Sequence, residues 1–191
     1  MGAISIWHWL ILILFVGVPA ALCIWTAKRS PAHPDGGPVG FGGWLLLLAM
    51  GQTLAPLKTL ASLSGTAQSL DKLAAIPGGR IAVGGEVALN LAFLVLQVAV
   101  LALMYRRSIL FPKFFLYQLL CMIAVIVLDA LLVSASLGIA VNQIFTPEMV
   151  GEDIVALLGT GLWTLYLFKS RRVKNTFVQG ESPSHVVIGK G

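Results

Sequence analysis

Residues 161–177 read GLWTLYLFKSRRVKNTF, an apolar run that ends in four cations, Lys169, Arg171, Arg172 and Lys174. In a water-soluble helix, charged and apolar residues share every turn and separate around the axis. Here they separate along it. The edge of a bilayer imposes that arrangement, because the hydrocarbon takes up the apolar turns and holds the cations at its surface. Composition agrees over the whole chain. Of 191 residues, 58% are hydrophobic and 11% charged, with a mean hydropathy of +0.91. A soluble domain needs about 25% charged residues to dress its surface, so most of this surface faces something other than water.

Five runs are long enough to approach the roughly 20 apolar residues that cross a hydrocarbon core: residues 4–25, 44–63, 87–105, 115–133 (extending toward 141) and 154–168. The last is short and must borrow its flanks. Leu, Ala, Val and Ile dominate all of them. Backbone groups in lipid must be satisfied within the segment, so helices are expected, and the short alternating segments of a β-barrel do not occur. The first run is read as a retained helix rather than a signal peptide, since residues 1–3 hold no Lys or Arg and the run exceeds a signal's apolar region. Leu22 in "AALC" occupies a position where a lipoprotein cleavage site wants a small residue, and Ile6 breaks the myristoylation pattern. The expected fold class is therefore all-α, an integral membrane bundle of five transmembrane helices.

Charge orients that bundle. With five spans the loops alternate sides, and one side receives ten basic residues: Lys28, Arg29, Arg106, Arg107, Lys113, Lys169, Arg171, Arg172, Lys174 and Lys190. The other receives two, Lys72 and Arg80, with acidic Asp71, Glu148, Glu152 and Asp153. The positive-inside rule then puts the N-terminus outside and the C-terminus in the cytoplasm. Lys169, Arg171, Arg172 and Lys174 become a topology anchor that can also attract anionic lipid headgroups. The net charge of +5 follows from these stop signals, so nucleic acid is not needed to account for it.

The chain divides into an N-terminal transmembrane helix (residues 1–27), a Pro/Gly-rich cytoplasmic linker (28–43), a four-helix domain (44–178) and a flexible tail (179–191). The linker glycines have no preceding strand and no following Lys-Ser/Thr, which separates them from a phosphate loop. In the outer loop, "AQSLDKLAAI" is expected to form a short interfacial helix closed by "PGG" at 77–79. Cys23 and Cys121 both fall within spans and read as reduced thiols that pack as small apolar residues.

Several motifs occur together: "GGWLLLLA" at 42–49, Glu86 with Asn90, "FPK" at 111–113, Asp129, and the ending "LW…Y…KSRRVKNTF". In this order they resemble a bacterial four-helix inner-membrane family catalogued as a domain of unknown function. The resemblance covers roughly residues 41–178; it implies a membrane fold and an inner-membrane location, and no activity. The opening "ISIWHWLILI" at 4–13 separately resembles the start of the A-type subunit of the twin-arginine translocase. The glycine hinge and amphipathic helix of that subunit do not follow, so Trp7 and Trp9 are read as interfacial anchors of an inserted helix.

Ionisable residues inside spans are costly and turn toward the bundle interior. Lys58, Glu86 and Asp129 are such residues, and the topology puts all three in the outer half of the membrane. At about 100° per residue, Glu86, Asn90 and Gln97 share one face within about 40°, and Gln118, Asp129 and Ser136 another within about 20°. Gln52, Lys58, Thr59 and Ser62 spread over roughly 120°, beside Pro56, where a kink would turn Lys58 toward the carboxylates. The expected site is thus an intramembrane polar cluster of Lys58, Glu86, Asn90 and Asp129. It serves either as architecture or as a proton-linked or ligand-recognising site.

No catalytic, cofactor or metal site is expected. His8, His33 and His185 are scattered, and neither HExxH, paired cysteines nor a nucleophile elbow occurs. The expected function is that of a non-enzymatic accessory or assembly subunit of a bacterial inner-membrane complex. The alternative is a small proton-linked transporter or channel that uses the intramembrane charges. Expected partners are the lipid bilayer and another membrane protein or a second copy of the chain.

Overall fold

A computed structural model describes residues 39–178, the side chains of 67–74 and 148 excepted. The expected span at 4–25, most of the linker, Cys23, the three histidines and the tail lie outside the described residues. Within them the chain is helical: α1 (Trp44–Ala74), α2 (Gly79–Tyr105), α3 (Phe111–Leu137), α4 (Val141–Ile144), α5 (Pro147–Lys169) and α6 (Arg171–Thr176). Four segments are long and apolar enough to cross a membrane, Trp44–Thr66, Gly79–Tyr105, Phe111–Leu137 and Met149–Lys169. Even the shortest, 21 residues, reaches about 30 Å at ~1.5 Å per residue.

Each helix runs beyond its apolar run, for local reasons. No strong breaker follows Leu63 until Pro77, so α1 continues to Ala74 and absorbs the stretch expected as a separate interfacial helix. It also passes through Pro56. Helix α2 begins at Gly79, behind Gly78 in the left-handed conformation (φ 80°), so Glu86 sits inside the helix rather than at its start. Pro112 occupies the first turn of α3, where a missing N–H costs nothing. Thr146 caps α5 by accepting a bond from the Met149 amide (3.4 Å), which carries that helix back past residue 154. The α2–α3 turn is a Schellman closure. Ser108 N–H donates to the Leu103 carbonyl and Arg107 N–H to that of Met104, each at 3.0 Å. Arg107 takes the left-handed position (φ 52°) that glycine usually fills, with its guanidinium 5.8 Å from the centre of the Phe41 ring.

Helix α2 packs between α1 and α3, and α5 leans chiefly on α3. Two glycines set the closest approach of α2 and α3: a Cβ at Gly78 would strike the Ser136 carbonyl, and one at Gly85 the Leu132 side chain. The apolar core is concentrated at the basic end of the bundle, where Leu45, Val100, Met104, Phe111 and Leu167 are almost fully buried. Much of the remaining apolar surface faces outward, with Val95 and Val155 each 70% exposed. A water-soluble monomer rarely exposes so much apolar surface; in lipid it is the solvated face.

Helix α6 changes the reading of the cationic run. Ser170 is extended (ψ 125°), and the chain turns there into a six-residue helix. Lys169, Arg171 and Lys174 remain exposed, but Val173, Thr176 and Phe177 are buried against the basic end. Phe177 stacks on Phe111 with ring centres 4.6 Å apart and meets Phe41 edge-on at 6.1 Å. The Gly40 N–H donates to Thr176 Oγ1 (2.9 Å). Arg172 is half-buried against Gly42, where a side chain would collide with its guanidinium. The run is a lid on the bundle as well as a cluster of cations.

Candidate functional site

Polar side chains meet at two levels between α1, α2 and α3. The first lies toward the end of the bundle away from α6. Thr66 Oγ1 donates to Glu86 Oε1 (3.0 Å), and Asn90 Nδ2 donates to the backbone carbonyl of Glu86 (3.0 Å). Asp129 on α3 lies within Coulombic reach of Glu86, and its Oδ1 is buried with no hydrogen-bond partner. Glu86 and Asn90 thus share one face of α2, and Asp129 on α3 feels the charge of Glu86 without a hydrogen bond to either.

Lys58 is not with them. It is exposed and forms no ion pair among the described residues. Register is the reason. Thr66 is the α1 residue level with Glu86, and Lys58 precedes it by eight positions, about 12 Å along the axis and about 80° around it. The expected cluster assumed that α1 ends near Leu63 and bends at Pro56; the helix instead continues, which leaves Lys58 close to mid-span on the outer face.

The second level is nearer mid-span. Gln52 Nε2 donates to Gln118 Oε1 (2.8 Å), and Thr59 Oγ1 donates to Gln97 Oε1 (3.0 Å). Thr53, the residue after Gln52, shares a hydroxyl–hydroxyl bond of 2.7 Å with Tyr105. The glutamines are among the most buried polar residues, at 5% exposure for Gln52 and Gln97 and 7% for Gln118. They line a cavity of about 310 Å³ to which α1, α2, α3 and α5 all contribute, with Phe93, Phe115 and Trp163 among the apolar walls and no charged residue. In the sequence Gln97 and Gln118 fall on polar stripes and Gln52 within a broader arc, and none of the three stands out. The signal that finds them is an uncharged amide near the middle of three spans, where any polar group demands a partner.

A cleft of about 370 Å³ opens beside α6, between Lys113 and Lys174 over Leu167, Val173 and Phe177. Burial draws the guanidinium of Arg107, in the neighbouring turn, below its ordinary value. Cys121 is a free thiol on the exposed face of α3 rather than a packed core residue. Among the described residues no group of three or more His, Cys, Asp or Glu could hold a metal ion.

Four apolar helices of spanning length, joined by short turns and sealed by polar pairs between them, define a multi-pass helical membrane bundle. The chain belongs to the family described as "Protein of unknown function (DUF2569)", whose model matches residues 38–178. No curated protein and no solved structure matches it.

Proposed function

We propose that the protein is a non-enzymatic accessory or assembly subunit of a bacterial inner-membrane complex, with its N-terminus outside and the α6 end in the cytoplasm. Lys58 carries this reading. A lysine at the centre of a transmembrane helix costs about 2.5–3.5 kcal/mol. Lys58 lies eight residues inside the end of its span, about 12 Å, too deep for its side chain to reach the surface. Residues 1–34 contain no Asp or Glu, so the chain's first apolar run brings no carboxylate to it. A carboxylate on a partner helix meets the need, and the α1 face around Lys58 is the docking side. The test is purification in mild detergent of the native chain and of Lys58→Met. A stoichiometric membrane partner, or a second copy, held by the native chain and lost from the variant supports the proposal. A solitary monomer with unchanged stability in both overturns it.

Asp129 supports a second reading, a small proton-linked transporter or channel. A buried carboxyl oxygen without a partner, beside a second carboxylate, is a place where a proton can be held and released. Proton flux into proteoliposomes that disappears with Asp129→Asn, while the variant remains folded, favours it. Equal flux from native and variant chains counts against it.

A further inference from the structure

The cavity at the glutamine level has features that neither reading uses. Its polar atoms are not equivalent. The oxygens of Gln118 and Gln97 already accept bonds from Gln52 and Thr59, and Gln118 Nε2 points back to Gln52 Oε1 at 3.5 Å. Gln97 Nε2 has no hydrogen-bond partner among the described residues, although Gln97 is only 5% exposed. The cavity is therefore lined by an amide that keeps an unused hydrogen-bond donor, beside two glutamines that pair with each other.

Three properties of the lining define what could fill it. No charged side chain is present, and an unpaired charge taken from water into such a site is strongly disfavoured, so the occupant is uncharged. The free donor calls for an acceptor oxygen. Phe93, Phe115 and Trp163 supply flat apolar walls, which suit a ring or an unsaturated body. The route of access is also apolar. Leu47 and Val155 line the cavity and are 52% and 70% exposed, so its mouth opens on the face that meets lipid. A volume of about 310 Å³ lies at the small end of the range for small-molecule sites, about 300–1,000 Å³.

We propose that this cavity binds an uncharged, lipid-soluble molecule bearing a ring carbonyl, which enters sideways from the bilayer and accepts a hydrogen bond from Gln97 Nε2. The bound head lies between the aromatic walls, and its tail leaves past Leu47 and Val155. The lining includes neither Lys58 nor Glu86 nor Asp129, although Leu47, Gly51 and Ala55 share the α1 face of Lys58. The test reads binding of a small molecule rather than retention of a partner or proton flux, so it is scored independently of both readings.

The probes are decylbenzoquinone, decane and decanoate, added to the full chain in lipid nanodiscs, with binding read from the unfolding temperature and from tryptophan fluorescence. Decylbenzoquinone should raise the unfolding temperature and quench fluorescence saturably, whereas decane and decanoate should do neither. Gln97→Leu should bind it about tenfold more weakly, the worth of one hydrogen bond between uncharged groups. Gly159→Leu provides a variant that does not touch the amides. Gly159 lines the cavity, and a Cβ built there meets nothing within 4 Å, so the added side chain fills the space and should abolish binding. Equal effects of decane and decylbenzoquinone, undiminished binding by either variant, or no saturable binding of any probe, as expected of a cavity that holds only water, would each overturn the proposal.

Discussion

At the scale of single residues, Gly78 and the Gln52–Gln118 pair are the informative positions. Gly78 combines a positive φ with a direct approach to the Ser136 backbone. Gly78→Ala should cost about 1–2 kcal/mol from the backbone conformation alone, and more because a carbonyl cannot move aside like a side chain. Thermal unfolding in detergent should show a lower midpoint, whereas alanine at Gly84, with nothing within 4 Å of its Cβ, should leave it nearly unchanged. The glutamine pair tests the asymmetry of buried hydrogen bonds. Gln118→Leu leaves the Gln52 amide unsatisfied and should cost about 1–3 kcal/mol, while replacing both by Leu should recover most of the loss. Denaturant titration of the two single variants and the double variant gives the comparison; a double variant weaker than either single one would show that the amides contribute more than each other's satisfaction.

At the scale of elements, α6 has the clearest consequence. Phe177 is 4% exposed and touches the rings of Phe111 and Phe41. Phe177→Ala should cost about 3–5 kcal/mol if the gap stays open and should release α6 first. Hydrogen exchange should then rise at residues 171–177 with little change in α2 and α3. The stripes on α2 and α3 were legible in the sequence because a 3.6-residue period puts Glu86, Asn90 and Gln97, or Gln118 and Asp129, on one face whatever the helix ends turn out to be. Lys58 was not legible in the same way. Its depth depends on where α1 stops, and a soluble-looking continuation such as residues 64–74 gives no apolar signal of that end. In and around α6 the cations Lys169, Arg171, Arg172 and Lys174 obscured a second pattern, Val173, Thr176 and Phe177 at spacings of three and four, which marks a buried face.

For the whole molecule, a fifth span at 4–25, as proposed, added to the four described spans would put the chain ends on opposite sides of the membrane. Single cysteines at Gly2 and Gly189, in a background of Cys23→Ala and Cys121→Ala, should react with a membrane-impermeant maleimide from opposite faces. Labelling of both from one face would reduce the spans to an even number. The placement of the core also predicts an uneven stability. Apolar burial and ring stacking crowd the α6 end, whereas the Glu86–Asp129 end is held by a few polar contacts and the Gly78 and Gly85 approach. Fraying should therefore begin at the latter.

The bond between Gly40 and Thr176 joins positions 136 residues apart. A nascent chain emerging at about 5–20 residues per second needs roughly 7–27 s to travel from one to the other. During that interval the α1 helix has entered the bilayer while its basic-end aromatic, Phe41, still lacks Phe177. Emergence of α6, rather than insertion of any one spanning helix, is therefore the moment at which the bundle closes, and chains stalled short of residue 176 should carry an open, protease-sensitive base.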